Sequence, residues 1–299
     1  MGSPCSSNHL WYYPDTLGLL NTCGEKWKQN RVIVASAFCF GPLAKMIKKV
    51  VRTSRMFSER LSQLCQENPL GFDISVIIGK FSLDAFLYCG FGWEESSLEN
   101  PDCLSFRYLK AVLDISSADN PAVGIARIYP TLIPVLCLSD IKHRKLHSEF
   151  VGKLGDEIRK RREKKDEIEK QLDIVGHLMS STVLERDEMN HCVKRMFSND
   201  EVCGHAREQM TGGLGTVSAA TNFTIYCLAR NPDVQEKLIE EIDSVCGQNE
   251  LDLTMLLSLD YLKCVIYESL RMFPVAPEKP TSDQNLERNI YLSSIMKTR

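Results

Sequence analysis

The sequence lacks any apolar run long enough to cross a bilayer. The longest apolar stretches, residues 32–44 and 129–138, are shorter than the roughly 20 residues that a membrane-spanning helix needs. Residues 1–8 also lack a basic flank followed by an apolar segment, the usual signature of a signal peptide or an anchor. We therefore predict no targeting segment and no membrane anchor in this chain.

The sequence also lacks an excess of charge of one sign. Its 36 basic and 39 acidic residues leave a net charge of -3, which provides no electrostatic basis for binding nucleic acid. Nucleic acid is therefore not expected as a partner. The composition, 43% hydrophobic and 25% charged, is instead that of a globular protein with enough apolar material for a sizeable core.

No C-x-x-C pair occurs among the twelve cysteines. Most of them lie within apolar helical patterns, where cysteine behaves as a small hydrophobic residue. This distribution favours reduced, buried thiols in an intracellular protein over a disulfide framework.

Alternation typical of strands is scarce, and helical periodicity dominates. Apolar residues recur at intervals of three or four in residues 24–38, 42–66, 74–89, 105–116 and 140–171. Residues 185–200 are polar and aperiodic, which indicates a surface linker. The pattern predicts a mainly α fold with minor β content.

Two further helices are predicted near the C-terminal end. Asn231 and Pro232 indicate an N-cap and a first-turn proline. The helix that follows has a predicted buried stripe, and Gly247 is suited to a left-handed cap at its end. The stripe consists of Val234, Leu238, Ile242 and Val245. The last helix covers residues 261–273 and stops before Pro274.

Glu268 and Arg271 lie three residues apart on that last helix, where they can form two parallel hydrogen bonds. A surface ion pair is the ordinary interpretation of such spacing. The surrounding run, residues 261–274, resembles the K helix of cytochromes P-450. The resemblance implies a structural, buried pair beneath a haem, so that removal of Arg271 alone would be strongly destabilising.

Residues 212–217, Gly-Gly-Leu-Gly-Thr-Val, lie within a helical pattern. Adjacent glycines each cost about 1 kcal/mol inside a helix, so close approach of a flat ligand would explain them, although a helix start or a plain loop would too. The run resembles the central I helix of the same family. The resemblance implies that Gly213 and Thr216 contact haem and that Thr216 has a catalytic role in oxygen handling. Gly215 stands where the family carries an acid.

Trp27 and Arg31 are four residues apart, which places an indole N–H and a guanidinium on one helix face. Tryptophan stacked on arginine at a surface is the alternative interpretation. The spacing resembles the W-x-x-x-R of the family's C helix, which implies that both residues bind a haem propionate. Three motifs in the family's order strengthen one another.

The resemblance covers about residues 18–277 and implies one partial, incomplete cytochrome P-450 domain over residues 1–299, from the C helix through the K helix. Residues 18–27 and 274–277 lean towards the mitochondrial branch. The implied location of full-length members is the mitochondrial inner membrane or the endoplasmic reticulum membrane. Without a targeting segment, this chain is expected in the cytoplasm.

The resemblance implies a monooxygenase that uses haem, dioxygen and electrons from a redox partner, a ferredoxin or a reductase, to oxidise an apolar substrate. A haem-thiolate enzyme needs an axial cysteine after the K helix, but no cysteine follows Arg271. Cys264 precedes the motif and is not nominated, so no metal ligand is predicted. A truncated gene model, an alternative transcript or a decayed copy would explain the pattern.

Two other interpretations stay open at this point. The chain is alternatively an inactive fragment or helical interaction protein that keeps a remnant of the fold, or an unrelated helical scaffold. His143 and His147 have the spacing of zinc ligands but lie among basic residues, so a solvated basic face is favoured.

Overall fold

The computed structural model describes residues 18–19, 22–116, 125, 129, 141–164, 173–186, 191–247 and 249–275. The helices are α1 (Gly24–Ser36), α2 (Phe40–Glu67), α3 (Ser75–Phe86), α4 (Leu104–Ser116), α5 (Ile141–Glu163), α6 (Ile174–Ser180), α7 (Asn199–Arg230), α8 (Pro232–Cys246), α9 (Leu253–Ser258) and α10 (Asp260–Met272). A π-helical turn, Leu87–Phe91, follows α3, and the strands are β1 (Thr182–Arg186) and β2 (Cys192–Met196). The predicted mainly α fold with minor β content is confirmed.

Helix α7 is the longest helix and packs against α3, α5 and α10. It begins with a capping box in which the Ser198 hydroxyl accepts from the Glu201 N–H and the Glu201 carboxylate accepts from the Ser198 N–H. Its first half is largely buried, with Met210 and Leu214 reaching the core, whereas its second half is partly exposed. The residues of the predicted glycine motif lie where the helix changes from one environment to the other.

The main core lies between the π-helical turn, α4, α5, α6 and the first half of α7. Aromatic rings fill its centre: Tyr108 stacks on Phe150 with ring centroids 4.2 Å apart, and Phe91 meets Trp93 edge-on at 5.0 Å. Such ring pairs stabilise a core beyond the apolar area that they bury. The aliphatic residues around them include Leu87, Leu154, Leu178 and Met179.

A buried ion pair joins α5 to α6. Arg161 donates to both carboxylate oxygens of Asp173 at 3.0 Å, and also to the carbonyl of Phe91. Asp173 in turn caps α6 by accepting the Gly176 N–H at 2.7 Å. Gly92 has φ +65°, and a Cβ there would overlap Asp173, so this position requires glycine.

The interpretation of residues 185–200 as a surface linker is wrong. Strands β1 and β2 form an antiparallel hairpin in which Glu185 lies opposite Val193. Arg195 bonds Glu185 across the strands and also bonds Glu201 at 2.6 and 2.9 Å. The charges that made the segment look aperiodic therefore pair with one another and with the first turn of α7.

Three details of α8 also differ from the prediction. Asn231 does not cap α8 with its side chain; its amide donates instead to the Cys227 carbonyl at the end of α7. Of the predicted stripe only Leu238 is buried, and Ile242 is 37% exposed, because little of the described chain packs on this helix. Gly247 has a positive φ of +52°, but its ψ of -127° lies outside the left-handed helical region, so the predicted left-handed cap is not formed.

The ten cysteines of the described part of the chain are all free thiols. Five of them, Cys23, Cys39, Cys65, Cys192 and Cys264, are exposed, so the expectation of buried thiols is wrong for these positions. Within the residues described, no helix is both long and apolar enough to span a membrane.

Candidate functional site

The glycines of the α7 motif lie beside open space. A Cβ added at Gly212 or Gly213 would meet no atom of another described segment within 4 Å. Thr216, one turn after Gly212, is exposed on the same face. Its hydroxyl donates to the Gly212 carbonyl at 2.9 Å, which leaves the oxygen free to accept a hydrogen bond from a ligand or a water. The helix therefore offers a flat, open surface next to a hydroxyl, here called the glycine face.

Gly215, unlike Gly212 and Gly213, has a close neighbour, Leu113. A Cβ at this position would lie 3.2 Å from Cδ2 of Leu113 on α4. Leu113 is 45% exposed, so it has room to shift. An acid at position 215 would therefore be accommodated only after Leu113 moved, whereas the present glycine puts no carboxylate beside Thr216.

Aromatic residues border the second half of α7. Phe223 stacks on Phe273 with centroids 4.8 Å apart and an interplanar angle of 6°, and Tyr226 meets Phe273 edge-on. These contacts seat the end of α10 on α7. Tyr226 is nonetheless 52% exposed and Val217 54% exposed, so apolar surface continues beyond the glycine face.

Trp27 and Arg31 lie one turn apart on α1 and are both partly exposed. The helix is held by its other residues: Val34 is buried, and the Ser36 hydroxyl lies 2.8 Å from Nε2 of His177 on α6. Asn30 is also buried, and its side-chain nitrogen finds no hydrogen-bond partner among the described residues. Trp27 and Arg31, the predicted hydrogen-bond donors, therefore lie on a helix that is held in place by its other residues.

The Glu268–Arg271 pair has the predicted geometry but not the predicted burial. Arg271 donates to the two carboxylate oxygens at 2.8 and 2.6 Å, and this bonding lowers the pKa of Glu268. The side chains are 58% and 70% exposed, so the prediction of a buried pair is wrong. The reason is that α10 buries Val265 and Ser269, which leaves the ion pair on the solvent side.

The six predicted residues form three groups. Gly213 and Thr216 share the glycine face of α7, Trp27 and Arg31 share a face of α1, and Glu268 and Arg271 pair on α10. Sequence spacing identified each group because each consists of residues within one helical turn of one another.

Several buried ionisable residues were missed. On the first half of α7, His205 is fully buried against Phe197, and burial lowers its pKa to about 4. Burial opposes ionisation of Glu201, but its hydrogen bonds with Arg195 lower its pKa to about 2. The sequence signal was the presence of two charged residues, Arg207 and Glu208, in the turn before the glycine motif.

His147 does not belong to a solvated basic face, which corrects that interpretation. Its Nδ1 lies 3.4 Å from the Tyr108 hydroxyl, and burial, followed by repulsion from Arg207, lowers its pKa to about 4. The side chain of His143 lies outside the described residues. Its zinc-like spacing with His147 is therefore left as a feature of the sequence.

The comparison with protein families agrees with the resemblance. The model of the family Cytochrome P450 matches residues 5–287, nearly the whole chain. The chain belongs to the cytochrome P450 family. The three motifs that carried the resemblance lie on α1, α7 and α10.

Individual P450 relatives are similar over about half of their own length. Cytochrome P450 3A41 of Mus musculus is 26% identical over 260 residues, which is 84% of this chain and 49% of that protein. Cytochrome P450 3A7 of Homo sapiens is 30% identical over 258 residues, with 84% and 49% covered. Probable cytochrome P450 6a18 of Drosophila melanogaster is 27% identical over 271 residues, with 88% and 52% covered. The lean towards the mitochondrial branch finds no support among these relatives.

Proposed function

We propose that this chain is part of a haem-dependent monooxygenase. In this proposal α7 lies beside the site of oxygen chemistry, and α1 binds the haem propionates. The observation that carries the proposal is the glycine face, where two glycines leave open space beside the exposed hydroxyl of Thr216. Family membership supports haem as the flat ligand. As one partial domain over residues 1–299, the chain would supply the C helix through the K helix of that fold.

The chemical character of these residues suits a haem. Gly212 and Gly213 carry no side chain that would block a macrocycle, and nothing in the described chain lies over them within 4 Å of an added Cβ. Trp27 and Arg31 are pure hydrogen-bond donors, which suits the carboxylates of the propionates. When bound, a haem supplies the redox chemistry that activates dioxygen. An axial ligand is not assigned, since Cys264 is exposed on α10 before the Glu268–Arg271 pair.

The protein's own contribution to oxygen chemistry centres on Oγ1 of Thr216. Because its proton is directed to the Gly212 carbonyl, Oγ1 can accept a hydrogen bond and hold a water on the glycine face. A carboxyl group at position 215 would be a second group able to take up and release a proton, and glycine provides none. Proton transfer on this face would therefore run through water held at Thr216, a less organised route than an acid and an alcohol together.

The remaining partners follow from the class of reaction. The substrate is an apolar small molecule, and electrons come from a redox partner, a ferredoxin or a reductase. The full-length enzyme would work at the endoplasmic reticulum or mitochondrial membrane. A second candidate, a non-catalytic helical interaction protein, is favoured by one observation: the Glu268–Arg271 pair is exposed rather than built into a scaffold.

A haem titration of the purified chain separates the two candidates. Stoichiometric binding, weakened on the order of tenfold in Trp27→Phe and Arg31→Gln, supports the monooxygenase fold. Lys28→Gln, an exposed change on the same helix, is the matched control and should bind normally. The reduced, carbon monoxide-bound spectrum should lack the maximum typical of thiolate ligation, because no cysteine follows Arg271. Absence of saturable binding would favour the interaction protein.

A further inference from the structure

Two carboxylates on the buried half of α7 reach towards α1. Glu201 and Glu208 are seven residues apart, so they lie on one face of the helix. They are only 4% and 5% exposed. Glu201 lies 3.8 Å from the Lys26 ammonium, and Glu208 accepts the backbone N–H of Leu19. One face of α7 therefore contacts both α1 and the residues that precede it.

The contact at Glu208 is tightly packed against Gly18. A methyl group on Gly18 would overlap the Glu208 carboxylate. The end of a glutamate can rotate, but Glu208 is buried and bound to Leu19, so moving it aside would break that hydrogen bond. The Glu208–Leu19 hydrogen bond therefore depends on glycine at position 18.

The hydrogen bond at Leu19 continues into the start of α1. The N–H and the hydroxyl of Thr22 both donate to the Leu19 carbonyl, at 3.3 and 3.2 Å. The helix begins two residues later at Gly24, and its N-cap residue, Cys23, makes no side-chain capping bond. Support for this helix start therefore comes from the turn at Leu19 and, through it, from Glu208.

We propose that Glu208 is a positioning residue: by holding Leu19 it sets where α1, with Trp27 and Arg31, begins relative to α7. The Glu201–Lys26 pair is a weaker second contact, because the lysine is 54% exposed. The role of α1 in haem binding rests on the proposed function, whereas the attachment by Glu208 does not. The attachment of Leu19 by Glu208 can therefore be tested without haem.

Hydrogen exchange of the haem-free chain tests the proposal. In Glu208→Ala, the Leu19 amide and the first turn of α1 should exchange on the order of tenfold faster, since a charge-assisted hydrogen bond is lost. Glu208→Gln keeps an acceptor and should remain close to wild type. Exchange in α10 should not change in either variant. Glu236→Ala, an exposed glutamate on α8, is the matched control.

Gly18→Ala sharpens the test. Because the added methyl group displaces the carboxylate, this variant should reproduce the faster exchange of Glu208→Ala, and combining the two should add little. Gly152→Ala, where an added Cβ meets nothing, controls for the loss of a glycine. Unchanged exchange at Leu19 in Glu208→Ala, or fully additive effects in the double variant, would overturn the proposal. If Glu208→Ala fails to fold, normal exchange at Leu19 in Gly18→Ala overturns it instead.

Discussion

Two arginine–carboxylate pairs in this molecule lie in opposite surroundings. Arg161 binds both oxygens of Asp173 with side chains 6% and 4% exposed, and Arg271 binds both oxygens of Glu268 with side chains 70% and 58% exposed. In the first pair, removing one partner leaves a buried charge; in the second, water replaces the partner. The difference in burial therefore predicts very different contributions of the two pairs to stability.

The same contrast divides α7. Its first half joins α5 and α6 in the main core and carries buried ionisable groups, whereas the glycine face at its middle and the exposed apolar residues beyond it are less covered. The first half is part of the core, whereas the second half is only partly covered by the end of α10 and by α3. Substitutions in the two halves should therefore change the free energy of unfolding by very different amounts.

The largest effect is expected at the buried pair. Arg161→Ala leaves Asp173 in the core without its guanidinium, which should lower the free energy of unfolding by about 3–5 kcal/mol. Urea denaturation measures this loss. Arg159→Ala, two residues away and 65% exposed, is the control and should change the midpoint little. Equal effects of the two substitutions would contradict the burial argument.

Truncations along α7 should follow the same division. Met210 is fully buried, and Met210→Ala should lower the free energy of unfolding by about 2–5 kcal/mol because it leaves a cavity. Val217 is 54% exposed, and Val217→Ala should change it by less than about 0.5 kcal/mol. Thermal or urea unfolding of the two variants makes the comparison. A large loss at Val217 would show that another part of the chain covers the second half.

Acid should destabilise the buried half through His205. Its pKa of about 4 lies below the ordinary value of 6.5, so between these pH values the unfolded state binds more protons than the folded state. Stability should fall as the pH drops below about 6.5, by up to about 3 kcal/mol near pH 4. His147 is shifted in the same direction. His205→Phe should reduce this pH dependence. Urea melts at pH 7 and 4.5 give the loss of unfolding free energy between the two pH values, and an equal loss in the variant and the parent would assign the effect to other groups.

The smallest effect is expected at the exposed pair. Arg271→Ala should leave the unfolding midpoint almost unchanged, because both side chains of the pair are solvated. The same substitution at a covered K-helix pair would be severe. A large destabilisation in this chain would therefore show that other residues bury Glu268 and Arg271.

Local spacing was sufficient to predict much of this molecule. The last helix was expected over residues 261–273 and runs from Asp260 to Met272, since its apolar residues recur with a helical period. The bidentate bonding of Glu268 and Arg271 also follows from spacing alone. Their exposure does not, because it depends on which other segments cover that face of α10.

The missed features share a physical cause. The β1–β2 hairpin was hidden because Glu185 and Arg195 are charged, and only their pairing across the strands makes them compatible with a sheet. The contact between Gly18 and Glu208 joins residues 190 positions apart, which no helical or strand period can reveal. Asn231 was assigned to the wrong helix end, since an asparagine between two helices can bond either one.

The central claim is that the glycine face of α7 accepts a haem. The most direct test compares Gly213→Leu with Gly152→Leu, because an added Cβ meets nothing at either position and both glycines lie inside helices. Both variants should fold and be at least as stable as the parent chain, because leucine is a better helix former than glycine. In haem titrations followed by absorbance, Gly213→Leu should bind at least about tenfold more weakly, while Gly152→Leu binds like the parent. Equal haem affinity in all three folded proteins would contradict the claim.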